Sequence, residues 1–164
     1  MQNVVSRFTL YICIMASIEK IKQLRQETGV SIAECRKALE KANGDIAIAK
    51  NVLKDLGKEF AERKKERAVG QGIIDYYIHP NKKVGALLEL RCETDFVAKS
   101  QDFQDLSHEL CLQIAAIDPE ASELPLLEQP WIKDSTKTIK DLVEDQIAKS
   151  GENIVVKRFT RYEI

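Results

Sequence analysis

Between residues 17 and 57 apolar positions recur at helical spacing, and the breaks between them are sharply marked. Ile18, Ile21 and Leu24 form one stripe, which "ETG" closes with Gly29 as a C-terminal cap. The run "VSIAECRKALEKANG" then opens on Ser31 with Glu34 three residues later, the spacing of a capping box. In that device the Ser31 side chain takes an orphan backbone N–H and Glu34 reaches back to the Ser31 N–H. Val30 and Cys35 stand where a hydrophobic staple closes the turn. Ile32, Cys35 and Leu39 supply the buried face, and Asn43-Gly44 ends the helix. Asp45 caps a third helix carrying Ile46, Ala49, Val52, Leu53 and Leu56, with Gly57 beyond it. Three short helices sharing one apolar face predict a small bundle over residues 16–57.

The charged stretch "KEFAERKKERAVGQG" reads as a linker, bounded at residues 58–69, that continues the third helix for a turn or two. The period then changes from helical to two. Ile74, Tyr76 and Ile78 alternate with Ile73, Asp75 and Tyr77, "PNKK" supplies a turn, and Leu88, Leu90 and Cys92 share a face of the next run. Two such runs predict an antiparallel hairpin. Phe103, Leu106, Leu110 and Ile114 follow at helical spacing, behind Ser100 as N-cap and Asp102 in the first turn. "DPEASELPLLEQPW" holds three of the four prolines and is expected to be irregular. Ile139, Leu142, Val143 and Ile147 mark a last helix, and "ENIVVKRFTRYEI" a third strand. The predicted class is α+β: a three-helix module, then a core over residues 70–164 with helices on one face of a small antiparallel sheet.

Composition narrows the partners. Apolar residues make up 44% and charged residues 31%, the balance of a folded chain. With 25 basic and 26 acidic residues the net charge is -1, so no positive field argues for nucleic acid, and "ERKKER" reads as a solvated linker. "FTLYICIM" near the start is too short to span a membrane. Residues 1–15 read as an extension ahead of a natural start at Met15, with a targeting segment as the alternative. No membrane partner is expected. The four cysteines contain no C-x-x-C pair, and His79 and His108 do not bracket them at ligand spacing, so no metal site is expected. Glycine-rich phosphate loops and nucleophile motifs are absent. Glu93 and Asp95 resemble a carboxylate pair, yet nothing nearby would raise one pKa to make a general acid. The expectation is a protein that is not an enzyme and needs no cofactor.

The stretch "ELRCETDFVAKSQDF" poses the central question. It sets a large aromatic, Phe96, where a strand gives way to a helix. Phe96 either folds under its own helix as a core plug or projects as a rigid tooth for another protein, since an aromatic costs little entropy to fix and can dominate an interface.

"CETDFVAK" resembles the Thr-Asp-Phe-Val-Ala signature of the translation elongation factor Ts family. "IKQLRQETGVSIAECRKALEKANGDIAIAKNVL" is similar to that family's N-terminal three-helix, UBA-like module, and "GENIVVKRFTRYEI" to its last strand. The resemblance runs from about Ser17 to the end of the chain, in order. It implies guanine nucleotide exchange on elongation factor Tu, in its GDP-bound and nucleotide-free forms. The signature would enter a pocket in the partner's GTP-binding domain and shift the elements that hold magnesium and phosphates. Carried over, the wedge is Phe96 with Asp95 beside it, while Thr94, Val97 and Ala98 shape the turn. The N-terminal grip falls to Leu24, Arg25, Ile32 and Ala33. Family members carry more chain between the helix ending near Ile117 and "QPWIKDS", so a reduced interface with the partner and weaker exchange are expected, and self-association is left open.

The rival readings are a helical adaptor without exchange activity, which leaves the Phe96 turn unexplained, a hydrolase using Glu93 and Asp95, and an RNA binder using "ERKKER" and Tyr76, which would show steep salt dependence. The compartment implied is bacterial-type cytoplasm or an organelle interior, a plastid being favoured among organelles.

Overall fold

The computed structural model describes residues 18–119 and 121–164, and the extension read at residues 1–15 lies outside them. The chain divides into two compact units, one ending at Glu59 and the other starting at Phe60.

The first unit is helical. Residues 18–28 form α1, Ile32–Lys41 form α2, and α3 begins at Ile46. Leu24, Val30, Cys35, Ala38, Leu39, Ala49 and Leu53 close its core. The turns are built as the sequence predicts. Gly29 and Gly44 take positive φ (70° and 78°), and the Asp45 carboxylate accepts from Ile48 N at 2.9 Å. The staple is also present, since Val30 and Cys35 are both buried.

Three expectations for the helices need correction. Glu34 does not reach the Ser31 N–H. Ser31 Oγ accepts from Glu34 N at 3.3 Å and donates its own proton to Glu34 Oε2 at 2.8 Å, because an ionised carboxylate is the strongest acceptor in reach. Ile32 is not part of the buried face but 55% exposed. As the first residue of α2, its side chain tilts toward the helix N-terminus and past the end of the bundle. Gly57 does not end α3, which runs unbroken from Ile46 to Lys64 and so continues into the charged segment for the turn or two expected of it. A glycine inside a helix costs about 1 kcal/mol without breaking it.

The second unit holds a three-stranded antiparallel sheet in the order β1-β2-β5, made of Gln71–Ile78, Val84–Cys92 and Ile154–Glu163. Ala86, Leu88, Leu90 and Cys92 of β2 face the core, where they meet Phe103, Leu110 and Ile114 of α5 (Gln101–Ala116) and Ile139, Val143 and Ile147 of α6 (Ile139–Ser150). The opposite face of the sheet is open, with Ile74, Tyr76, Ile78, Leu87 and Tyr162 exposed. On β5 the pairing jumps from Leu90↔Val156 to Glu89↔Arg158, leaving Lys157 as an extra residue. That bulge keeps both Val156 and Phe159 packed against the core despite the even spacing a simple strand would need. Arg161, further along β5, donates from Nε to Ala115 O at 3.2 Å, at the C-terminal end of α5 where carbonyls lack partners.

The proline-rich connection expected to be irregular carries structure of its own. It holds a 3-10 turn, η1 (Leu126–Glu128), and one arm of a two-stranded hairpin, β3 (Pro130–Trp131) with β4 (Asp134–Thr138). Two buried glutamines fasten it. Gln113 Nε2 donates to Gln129 Oε1 at 3.1 Å and to Pro130 O at 3.2 Å, Gln113 Oε1 accepts from Ile132 N at 3.0 Å, and Gln129 Nε2 donates to Leu124 O at 3.2 Å. Burial of these amides is tolerable because their polar atoms are paired.

Three substitutions test this packing. Leu24→Ala should destabilise the protein by about 2–5 kcal/mol in denaturant unfolding, whereas Ile32→Ala should leave stability nearly unchanged. Gly72→Ala should also be costly, about 3 kcal/mol or more, because φ is +155° and a Cβ would sit 2.2 Å from Leu90 O across the β1–β2 ladder.

Candidate functional site

The turn after β2 is assembled from its hydrogen bonds outward. Asp95–Ala98 forms a single helical turn, α4, with Thr94 as its N-cap. Thr94 Oγ1 accepts from Val97 N at 3.4 Å, and Thr94 O accepts from Ala98 N at 3.2 Å. Cys92 Sγ donates to Thr94 O at 3.1 Å, while Ser100 Oγ donates to Val97 O at 2.7 Å and caps the following α5. The expected site residues part company here. Ala98 is buried and Val97 half-buried against the core, so both hold the turn from beneath. Asp95 is exposed, and Phe96 is 83% exposed. Of the two readings open in the sequence, the structure excludes the core plug.

Asp95 points along the turn to Lys99, whose Nζ donates to Asp95 Oδ2 at 2.8 Å. That hydrogen bond, with the Lys99 charge, holds the Asp95 pKa below the ordinary aspartate value. The pairing therefore favours the folded turn above that ordinary value and is lost as pH falls through the lowered midpoint.

Glu93 is no catalytic partner for Asp95. Its Oε1 accepts from Asn153 N at 2.7 Å and lies 3.6 Å from the Arg67 guanidinium. Asn153 is buried and donates from Nδ2 to Arg67 O at 2.9 Å. The neighbouring Glu152 grips Thr94 with both oxygens, taking the backbone N–H at 2.9 Å and the hydroxyl at 2.6 Å. Sequence reasoning missed Glu152 and Asn153. The available signal was that Gly151, the C-terminal cap of α6 at φ 77°, is followed at once by two polar residues ahead of the last strand.

Two of the described thiols are poor nucleophiles. Burial is the main cause that pushes Cys92 up to about 11 and Cys111 up to about 12. His79 and His108 are exposed, each in an edge-type arrangement with the Tyr77 ring at centroid distances of 6.2 and 6.1 Å. Among the described residues no group of three His, Cys, Asp or Glu side chains could hold a metal ion, and no helix is long and apolar enough to cross a membrane.

In the helical module, Leu24 is wholly buried and cannot make the contact expected of it; it is the packing centre of that unit. Arg25, Ile32 and Ala33 are exposed.

Fold and turn together define an α+β factor with a helical module and a fixed, outward-facing aromatic. The family model described as Elongation factor TS matches residues 93–164, which include the whole turn and the loop that grips it. The chain is similar to Elongation factor Ts of Coprothermobacter proteolyticus, 41% identical over 192 aligned positions that take in 90% of this chain and 98% of that relative. It is 39% identical to Elongation factor Ts of Thermotoga maritima (90% and 96% covered) and 36% identical to that of Herpetosiphon aurantiacus (90% and 97% covered). The chain belongs to the elongation factor Ts family. An alignment of 192 positions is longer than these 164 residues, so the relative carries internal residues that this chain lacks.

Titration of the Asp95 carboxyl by nuclear magnetic resonance should give a midpoint below the ordinary aspartate value of about 3.9. In Lys99→Ala the midpoint should rise toward that value, and no change would contradict the pairing.

Proposed function

We propose that this protein is the guanine nucleotide exchange factor of elongation factor Tu and that Phe96 is the wedge by which it acts. The observation that carries the reading is a phenylalanine left 83% exposed on a turn capped by Thr94 and tied down by Glu152 and Ser100. Membership of the elongation factor Ts family gives the partner. Asp95 stands next to the wedge as its polar neighbour, and Arg25, Ile32 and Ala33 offer a second contact surface on the helical module.

No chemical step is required of the protein. A factor that binds the nucleotide-free partner more tightly than the GDP-bound partner must, by linkage, weaken GDP binding by the same factor. A rigid aromatic suits that task, because ordering it on binding costs little and its contact area is large. Exchange then speeds approach to the balance between GDP and GTP without moving that balance. The work belongs in a compartment where translation uses elongation factor Tu: bacterial cytoplasm, in keeping with the bacterial relatives, or an organelle interior such as a plastid.

The test is release of a fluorescent GDP analogue from bacterial elongation factor Tu. The unaltered protein should accelerate release, and Phe96→Ala should cut the effect by about 30-fold, the loss expected of a hot-spot aromatic. Circular dichroism and thermal unfolding should be unchanged, since no core contact is removed. Binding without acceleration would instead favour the adaptor reading.

A further inference from the structure

We propose that Glu152 is a positioning residue for exchange: both of its carboxylate oxygens hold Thr94, and through Thr94 they fix the backbone that presents Phe96. The inference rests on the exchange reading above and adds to it a residue remote in sequence from the wedge.

The geometry begins in the β2–β5 ladder. Cys92 pairs with Ile154, and continuing that antiparallel register sets Glu93 across from Asn153 and Thr94 across from Glu152. Strand hydrogen bonding stops there, and side chains take over the pairing. Glu93 Oε1 accepts from Asn153 N, and Glu152 accepts from both Thr94 N and Thr94 Oγ1. The second bond does more than tie two loops. Because the Thr94 hydroxyl spends its proton on Glu152, it presents a lone pair to Val97 N and so closes the α4 cap. Removing the carboxylate leaves the Thr94 N–H without its partner and lets the hydroxyl rotate away from Val97. Helical turns of four residues do not hold themselves, so the cap decides whether this one persists.

Glu152 is itself held firmly. Gly151 N donates to Ile147 O at 2.9 Å, Glu152 N donates to Ser150 Oγ at 3.2 Å, and Asn153 is fastened to Arg67 O. A carboxylate anchored on both sides can constrain Thr94; one on a free loop would merely follow it. Hydrogen bonds to a charged acceptor are strong enough for their loss to matter at about the tenfold level.

The experiment measures GDP-analogue release from bacterial elongation factor Tu at rising concentrations of this protein, which separates the plateau rate from the half-saturating concentration. Glu152→Ala should lower the plateau about tenfold. Glu152→Gln, which keeps one acceptor oxygen, should fall between it and the unaltered protein. The decisive readout is a double-mutant cycle. If Glu152 acts through Phe96, Glu152→Ala should cost nothing further in a Phe96→Ala background. Multiplying losses, or no loss from Glu152→Ala alone, would overturn the proposal. Should Glu152→Ala fail to fold, Thr94→Val must reproduce the plateau loss and Thr94→Ser must restore it; an unaffected Thr94→Val would be equally fatal. If the unaltered protein gives no acceleration, the exchange reading itself fails and takes this one with it, which is a distinct result.

Discussion

The antiparallel register between β2 and β5 is the constraint from which the rest of the second unit follows. It buries Leu88, Leu90 and Cys92 against Phe159, Val156 and Ile154, and so gives α5 and α6 a surface to cover. Where the ladder ends it also delivers Glu152 and Asn153 to Thr94 and Glu93. A slip of one residue would turn the apolar face outward and, in the same movement, part the carboxylate from the turn. The bulge at Lys157 is compatible with this because it lies beyond Val156, on the side away from the turn. Core and site are thus fixed by a single alignment of two strands.

Leaving Phe96 in water forgoes about 2 kcal/mol that its burial would have contributed. The fold does so while capping the turn beneath it and tying Thr94 and Val97 to their neighbours. This combination of an exposed aromatic and a rigid base suits an interaction in which binding energy is spent on the partner's conformation. A flexible turn would spend part of that energy on ordering itself. The Asp95–Lys99 pair adds little stability at an exposed position, but it holds the carboxylate along the turn toward Lys99.

Much of this was legible in the sequence, for reasons that differ by element. Ser31, Asp45 and Ser100 are caps whose partners lie three residues away, so local spacing suffices to find them. Alternation in β2 pointed to Leu88, Leu90 and Cys92 because that face of the strand is buried from Ala86 to Cys92. What failed depends on distant or end effects. Ile32 matched the apolar period, but its place at the first turn sends it out to solvent. Leu24 stands in a motif that suggests contact, whereas three helices close over it. The β3–β4 hairpin was hidden because Gln113 and Gln129, polar residues sixteen positions apart, do there what apolar side chains usually do. The grip of Glu152 on Thr94 spans 58 residues, and no local pattern announces it.

The proposed exchange function requires this protein to favour elongation factor Tu without its nucleotide. The most direct measurement is calorimetric titration of the protein into nucleotide-free and into GDP-bound elongation factor Tu, under the same salt and magnesium. Binding to the nucleotide-free form should be tighter, with the ratio of the two affinities matching the factor by which the protein weakens GDP binding. Equal affinity for the two forms would contradict it, because a ligand that does not distinguish two states cannot shift one toward the other.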